Sequence, residues 1–154
     1  MKTMTRLTLV LGAAIMAAAP AQAALLDDYF GGGGSCYSRV YDRAHLASHP
    51  DQLVTEIHLG SSTIADPGFD GTLLEFGFTL RGGNRYSAVA YCERNGCGLE
   101  GDGGNFALAR DGNALQLSVG DFLALEGARD FSPDLTESDD TVFLLYPSRA
   151  SACM

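Results

Sequence analysis

The sequence predicts an all-β protein, and two repeated patterns carry that prediction. Apolar and polar residues alternate with a period of two over several short stretches, and turns rich in Gly, Asp and Asn separate these stretches. Alternation puts every second side chain on the same face of a strand, and short turns make successive strands antiparallel neighbours. We therefore expect an antiparallel meander of seven or eight strands that closes as a small barrel or packs as a two-sheet sandwich.

The clearest strands lie between residues 72 and 126. Predicted strands in this stretch are 74–80, 86–92, 105–110, 115–119 and 122–126. Asp111-Gly112 is a strong two-residue hairpin signal, and Gly120-Asp121 predicts a second tight turn with Gly in its first position.

Three further strands and one short helical turn complete the expected fold. The strands are predicted at 37–41, 53–59 and 141–146, where Pro147 ends the last one. Asp42 is a candidate N-cap for a helical segment that ends by Ser48, because the residue before Pro50 disfavours helical geometry.

Residues 1–23 have the composition of a secretory signal peptide. A basic start precedes an apolar, Ala-rich run and the small-residue site Ala21-Gln22-Ala23, the pattern that export machinery cleaves. We predict that residues 24–35 form a flexible Gly-rich lead and that residues 36–154 form a single disulfide-stapled β-domain. We expect a periplasmic or secreted protein with no stable membrane anchor after cleavage.

The charge balance bears on the partners of the chain. The sequence has 19 acidic residues against 10 Lys and Arg, a formal net charge of −9, and two of the basic residues, Lys2 and Arg6, fall in the export signal. An acidic surface repels phosphate backbones, so nucleic acid is excluded as an expected partner.

The four cysteines predict two disulfides, since an even set in an exported chain is normally paired. We favour Cys36–Cys153, which ties the domain's start to its end, and Cys92–Cys97, which closes a short Gly-containing turn. The alternative connectivity, Cys36–Cys92 with Cys97–Cys153, stays open at this point.

Residues with catalytic or metal-binding chemistry are few. The sequence has no Gly-x-Ser-x-Gly elbow, no paired Cys-x-x-Cys for zinc, and no motif that implies a cofactor. His45 and His49 share one helical face at i, i+4, the spacing of a two-His metal pair, but Leu46 stands where the metalloprotease motif has its glutamate. Two acidic stretches, residues 100–105 and 130–140, carry oxygen ligands without a full calcium-loop pattern.

The chain resembles small exported bacterial proteins of unknown function. The resemblance rests on short runs, namely Cys36–Tyr41 with His45, Pro50 and Gln52, then 80–83, 90–92, 100–104 and 140–145. It implies no activity. Its most distinctive run contains Arg39, Tyr41 and His45, which are therefore the candidate binding residues.

The expected function is a non-enzymatic binding or interaction module that recognises a partner protein or small ligand. The contact region would be the Arg39–His49 segment or a barrel mouth. Two alternatives remain: a metal-binding protein or metal-dependent enzyme that uses His45 and His49, and a structural component of the cell envelope.

Overall fold

The structure is a computed structural model that describes residues 21–93 and 96–154. Side chains are described from Leu25 onward. Most of the predicted export signal, residues 1–23, lies outside these ranges. Among the described residues, no helix has the length and apolar character needed to cross a membrane.

Eight antiparallel strands form a closed barrel in which each strand pairs with its neighbours in sequence and β8 pairs back with β1. The strands are β1 (Cys36–Val40), β2 (Val54–Ser61), β3 (Thr72–Leu80), β4 (Arg85–Glu93), β5 (Gly96–Leu99), β6 (Gly104–Asp111), β7 (Ala114–Leu123) and β8 (Val142–Pro147). The described helices are α1 (Ala21–Phe30), α2 (Arg43–Ser48) and three short 3-10 turns at Glu100–Asp102, Leu135–Glu137 and Ala150–Cys153. The all-β prediction is confirmed, and the barrel rather than the sandwich is the arrangement found.

The barrel interior is filled by large apolar side chains. Phe76, Phe78, Phe106 and Phe143 are each no more than 2% exposed, and the rings of Phe76 and Phe106 lie 5.2 Å apart between centroids. They occupy alternate positions of their strands, as the period-two pattern predicts. Gly112, in the hairpin between β6 and β7, has a φ of +58° that favours glycine.

The flexible lead predicted for residues 24–35 is wrong over most of its length, because α1 extends to Phe30 and packs on the barrel. Tyr29 and Phe30 are buried against Tyr37 at the start of β1. The Tyr29 hydroxyl also donates to the carbonyl of Ala114, at the start of β7, over 3.2 Å. The flexible lead was predicted from the Gly-rich run, whereas the apolar residues before that run pack against one end of the barrel.

A β-bulge changes the predicted facing of β2. The register of β2 against β3 shifts between Val54 and Glu56, so Val54 and Ile57 both point inward and are 0% exposed. Simple alternation over 53–59 put Val54 on the polar face. The extra residue of a bulge reverses the phase of the strand on one side of it.

The predicted turn at Gly120-Asp121 and the predicted strand 122–126 are also wrong. β7 runs on through Gly120 to Leu123, and its register against β6 shifts between Gly104 and Phe106, which is a second irregularity. The sequence pattern also missed β5, a four-residue strand with two glycines. The number of strands nevertheless agrees, because one error cancels the other.

Both favoured disulfides are present. Cys36 is bonded to Cys153 across 117 positions of sequence, and Cys92 is bonded to Cys97 across the β4–β5 hairpin. The first bond lies on the outside of the barrel over Gly60, where a Cβ atom would come within 2.8 Å of the Cβ of Cys153. Glycine is therefore required there by the close approach of the two chain segments.

The end of the barrel opposite α1 is closed by the segment between β7 and β8. Leu125 and Leu135 from this segment join the core and are at most 1% exposed. α1 therefore covers one end of the barrel and this segment covers the other.

Candidate functional site

The three candidate residues Arg39, Tyr41 and His45 lie together where β1 leaves the barrel and α2 begins. Arg39 pairs with Ile57 of β2, and paired residues share a face of the sheet. Ile57 is fully buried, so Arg39 and Tyr41 leave β1 on the side turned toward the interior. An arginine on that side is unusual, because charged groups are rarely buried without a partner.

Two tyrosine rings hold the Arg39 guanidinium. Its central carbon lies 5.3 Å from the ring centroid of Tyr41 and 5.3 Å from that of Tyr146, which is on β8. Both distances are within the range of a cation–π contact. We call Arg39, Tyr41 and Tyr146 the arginine–tyrosine cluster.

The Nε atom of Arg39 is the one fully buried side-chain nitrogen or oxygen among the described residues that has no hydrogen-bond partner. The ion pair found in the described part of the chain joins Arg110 to Asp28, at the other end of the barrel. The Arg39 charge is thus held by aromatic faces and has no carboxylate partner in those residues. A buried, unpaired N–H is costly, and each such case calls for an explanation.

Two histidines extend the cluster along α2 as an aromatic stack of Tyr41, His45 and His49. The ring centroids of Tyr41 and His45 are 4.6 Å apart with an interplanar angle of 30°, and those of His45 and His49 are 4.1 Å apart at 14°. The i, i+4 spacing of the histidines produces this stack, because residues four apart lie on one helical face.

Polar contacts fix the position of α2. The carboxylate of Asp42 accepts a hydrogen bond from the backbone N–H of His45 over 2.8 Å, which confirms the predicted N-cap. Nε2 of His45 lies 2.9 Å from Oε1 of Gln52, and the buried Gln52 amide donates to the carbonyl of Val54. His45 is therefore tied to the start of β2.

Arg81 holds the other end of α2. Its guanidinium donates to the backbone carbonyls of Leu46 and His49, each over 2.8 Å, and its Nε donates to the carbonyl of Gln52 over 2.6 Å. The last carbonyls of a helix have no partner within it, so this arginine satisfies them and complements the helix dipole.

Asp140 is the one buried carboxylate among the described residues and is 1% exposed. Its oxygens accept hydrogen bonds from the backbone N–H of Leu53 over 2.6 Å, from that of Val54 over 3.2 Å, and from the Ser138 hydroxyl over 2.8 Å. These donors compensate its charge. Asp140 therefore anchors the start of β2 and does not neutralise Arg39 as a direct ion pair.

The ionisation of Tyr41 reflects its surroundings. Burial raises the pKa of its hydroxyl above the ordinary value, the Arg39 charge opposes this, and Asp140 and Tyr146 raise the pKa further. The phenol consequently stays neutral at physiological pH. It keeps its proton and can donate a hydrogen bond.

His45 and His49 do not converge on a common point. Their rings are nearly parallel, and the lone pairs of an imidazole lie in the ring plane, so the nitrogens of a stacked pair cannot both point at one ion. His49 also uses Nδ1, which lies 2.9 Å from the carbonyl oxygen of His45. Among the described residues, no group of three or more His, Cys, Asp or Glu side chains is arranged to hold a metal ion. The metal-binding alternative remains a prediction that would need another side-chain arrangement.

The sequence did not point to Tyr146, Gln52 or Asp140 as parts of this region. Gln52 and Asp140 fell within the runs that carry the resemblance, but nothing marked them as spatial neighbours of His45 or Tyr41. Tyr146 belongs to the last strand, and its place beside β1 follows from barrel closure. The register between the first and last strands is set by that closure and cannot be read from local periodicity.

Comparisons with known proteins add no family: no family model matches the chain, and neither the curated proteins nor the solved structures contain a significant match. The resemblance to small exported bacterial proteins therefore stays a prediction.

Proposed function

We propose that this protein is an exported, non-enzymatic binding module that recognises a carboxylate group at the arginine–tyrosine cluster. The observation that carries the proposal is the buried Nε of Arg39, which has no partner among the described residues. Keeping such a group costs stability, typically about 1–3 kcal/mol. A guanidinium whose Nε is buried and whose central carbon lies against two rings is prepared for an anionic ligand.

The charge of the protein favours a carboxylate over a phosphate at this cluster. With a net charge of −9, the protein repels multiply charged anions more strongly than a single carboxylate. The neutral hydroxyl of Tyr41 is a further donor, on the ring that contacts the guanidinium. Tyrosine faces would contact an apolar or flat group attached to the carboxylate.

An exported location belongs to the same proposal. The two disulfides are compatible with an oxidising compartment, and residues 1–23 predict an export signal. A reporter enzyme that is active only outside the cytoplasm, fused after the β-domain, is expected to be active with residues 1–23 present and inactive without them. Activity without those residues would contradict export through this signal.

The test of ligand binding is an NMR titration of the isotope-labelled protein with benzoate. We expect weak saturable binding with shifts around Arg39, Tyr41 and Tyr146, and no such shifts with benzamide, which has the same ring without the charge. Arg39→Gln should lose the response, whereas Arg85→Gln, at an exposed arginine on β4, should keep it. The proposal fails if Arg39→Gln binds benzoate as the parent protein does, or if benzamide gives the same shifts.

A further inference from the structure

Beside the arginine–tyrosine cluster, β1 and β8 are paired over only part of their length. β1 and β8 pair over two residue pairs, Tyr37 with Pro147 and Ser38 with Tyr146, whereas β1 and β2 pair over five. The N–H of Ser148 donates to the carbonyl of Cys36 over 2.8 Å. In an antiparallel ladder, hydrogen-bonded pairs recur at every second residue. The next pair in this register, Val40 with Leu144, is not formed.

The unpaired groups of the two strands face each other. The N–H of Tyr41 donates to the carbonyl of Thr55, so alternate residues of β1 point their polar groups toward β2, and those of Val40 point toward β8. The N–H of Val119 donates to the carbonyl of Thr141. By the same alternation, the backbone groups of Val142 and Leu144 point away from β7 and toward β1.

We call Val40, Val142 and Leu144 the open seam. Val40 and Val142 are 67% and 54% exposed, and they are two of the six exposed large apolar side chains among the described residues. Unpaired backbone groups at a strand edge are a template for another chain. The apolar side chains flank those groups and offer contacts to whatever chain occupies them.

The seam is closed at one end. The ladder begins at Ser38 and Tyr146, so an inserted strand cannot continue past them. The Arg39 guanidinium lies at this closed end, because it contacts the Tyr146 ring from one strand and the Tyr41 ring from the other. A segment entering from the open side must therefore end there, and a positive charge favours a C-terminal carboxylate over an N-terminal ammonium.

We propose that the open seam binds the C-terminal tail of a partner protein as a short added strand, with the terminal carboxylate on Arg39. This inference rests on the proposed carboxylate recognition, and it identifies the carboxylate as the C-terminus of a polypeptide. The part of β8 from Val142 to Leu145 has no partner on β1, and roughly three or four residues of extended chain, at about 3.3 Å per residue, match its length. Backbone pairing with β8 supplies affinity, and the exposed valines favour apolar side chains in the tail.

The first test uses two random heptapeptide libraries, one ending in a free carboxylate and one in a carboxamide, applied to the immobilised full-length β-domain. We expect enrichment from the free-acid library only, with apolar residues near the C-terminus, and binding at least about 10-fold weaker when an enriched peptide is amidated. Arg39→Gln should lose the enrichment and Arg85→Gln should retain it. Equal enrichment from the amidated library, or none from either, overturns the inference.

The second test examines the strand edge. Val142→Pro removes a backbone N–H that faces the seam and takes no part in the β7 ladder, and proline is tolerated at the first position of a strand. Val142→Thr keeps that N–H and is the matched control. We expect an enriched peptide to bind Val142→Pro about 5-fold more weakly than Val142→Thr, in line with the loss of one hydrogen bond. Equal affinities would contradict strand addition.

These outcomes separate the two proposals. If benzoate shifts the cluster resonances but neither library is enriched, carboxylate recognition stands and the C-terminal tail is wrong. If benzoate gives no shifts and Arg39→Gln changes nothing, both proposals fail together.

Discussion

At the scale of single residues, Arg39 has the properties expected of a functional group retained at a cost to stability. Its contacts with two tyrosine rings are worth about 0.5–1 kcal/mol each when exposed and more when desolvated. The unpaired Nε lowers the free energy of unfolding by a comparable amount. A residue that existed only to hold the fold together would be expected to have its donors satisfied.

Arg39→Met tests this balance. Methionine fills similar volume without a charge or a donor, so we expect the free energy of unfolding to change by no more than about 1 kcal/mol. Urea denaturation measures this, and the benzoate titration should show no binding. A loss of several kcal/mol would mean that Arg39 is structural, since breaking a needed buried contact costs that much.

His58 is a second residue with a testable consequence. Its ring lies on the outer face of β2 against Gly77, where a Cβ would come within 2.6 Å of the ring. Burial lowers the pKa of His58 below its ordinary value of 6.5, Glu56 and Glu75 oppose this, and Arg85 lowers the pKa further. The local sequence pattern of β2 does not reveal how closely β3 covers the His58 ring.

A lowered histidine pKa makes stability depend on pH in a defined direction. Below pH 6.5 the unfolded chain binds more protons at this site than the folded chain, so the free energy of unfolding falls as the pH drops from 7.5 to 5.5. Urea denaturation at these two pH values is expected to show this decrease. His58→Gln should reduce the difference, whereas His49→Gln, at an exposed position, should not remove the His58 contribution. An unchanged difference in His58→Gln would contradict this assignment.

At the scale of elements, periodicity predicted the long hairpins and failed where the backbone is irregular. Leu74, Phe76 and Phe78 alternate strictly and were assigned to the correct face. At Val54 a bulge reversed the alternation, and at Gly120 a glycine that suggested a turn lies within an extended strand. Bulges depend on the pairing of a strand with its neighbour, so a single strand's sequence does not disclose them.

α1 is the element whose role was missed, and its contribution can be measured. Phe30 is 4% exposed and packs with the barrel core. We expect Phe30→Ala to lower the free energy of unfolding by about 3–4 kcal/mol, as for other buried phenylalanines. Asp27→Ala is the control, since Asp27 is exposed on the same helix. Urea denaturation of both variants decides the point: a change below about 0.5 kcal/mol in Phe30→Ala would mean that this segment is not docked.

At the scale of the whole molecule, the two ends of the barrel differ. One end is closed by α1 and tied by Cys36–Cys153, and the other carries the arginine–tyrosine cluster, α2 and the open seam. The even number of cysteines and the predicted export signal indicated two disulfides, and the pairing found is the one that was favoured over the alternative connectivity. The cluster itself depends on barrel closure, which brings Tyr146 beside Arg39 from more than 100 positions away in sequence. The resemblance supplied three residues of the candidate site, but the sequence could not supply the contact of Arg39 with Tyr146 that brings β1 and β8 together there.

The disulfides should contribute unequally to stability. In the chain-entropy model, the 117-residue separation of Cys36–Cys153 corresponds to about 5 kcal/mol and the 5-residue separation of Cys92–Cys97 to about 2 kcal/mol. Replacing each pair by alanines and measuring urea denaturation compares the contributions of the two bonds. A larger loss from the Cys92/Cys97 double variant would contradict this order.

The most direct test of carboxylate recognition is the signal of the Arg39 Nε–H in a ¹H–¹⁵N NMR spectrum. The Nε–H of Arg39 is buried, so its signal should exchange slowly with water, unlike that of exposed Arg85. When benzoate is added, the Arg39 signal is expected to shift in a saturable way while the Arg85 signal stays in place. An Arg39 signal that exchanges rapidly, or that moves no more than the Arg85 signal at saturating benzoate, would contradict a guanidinium held ready for a carboxylate.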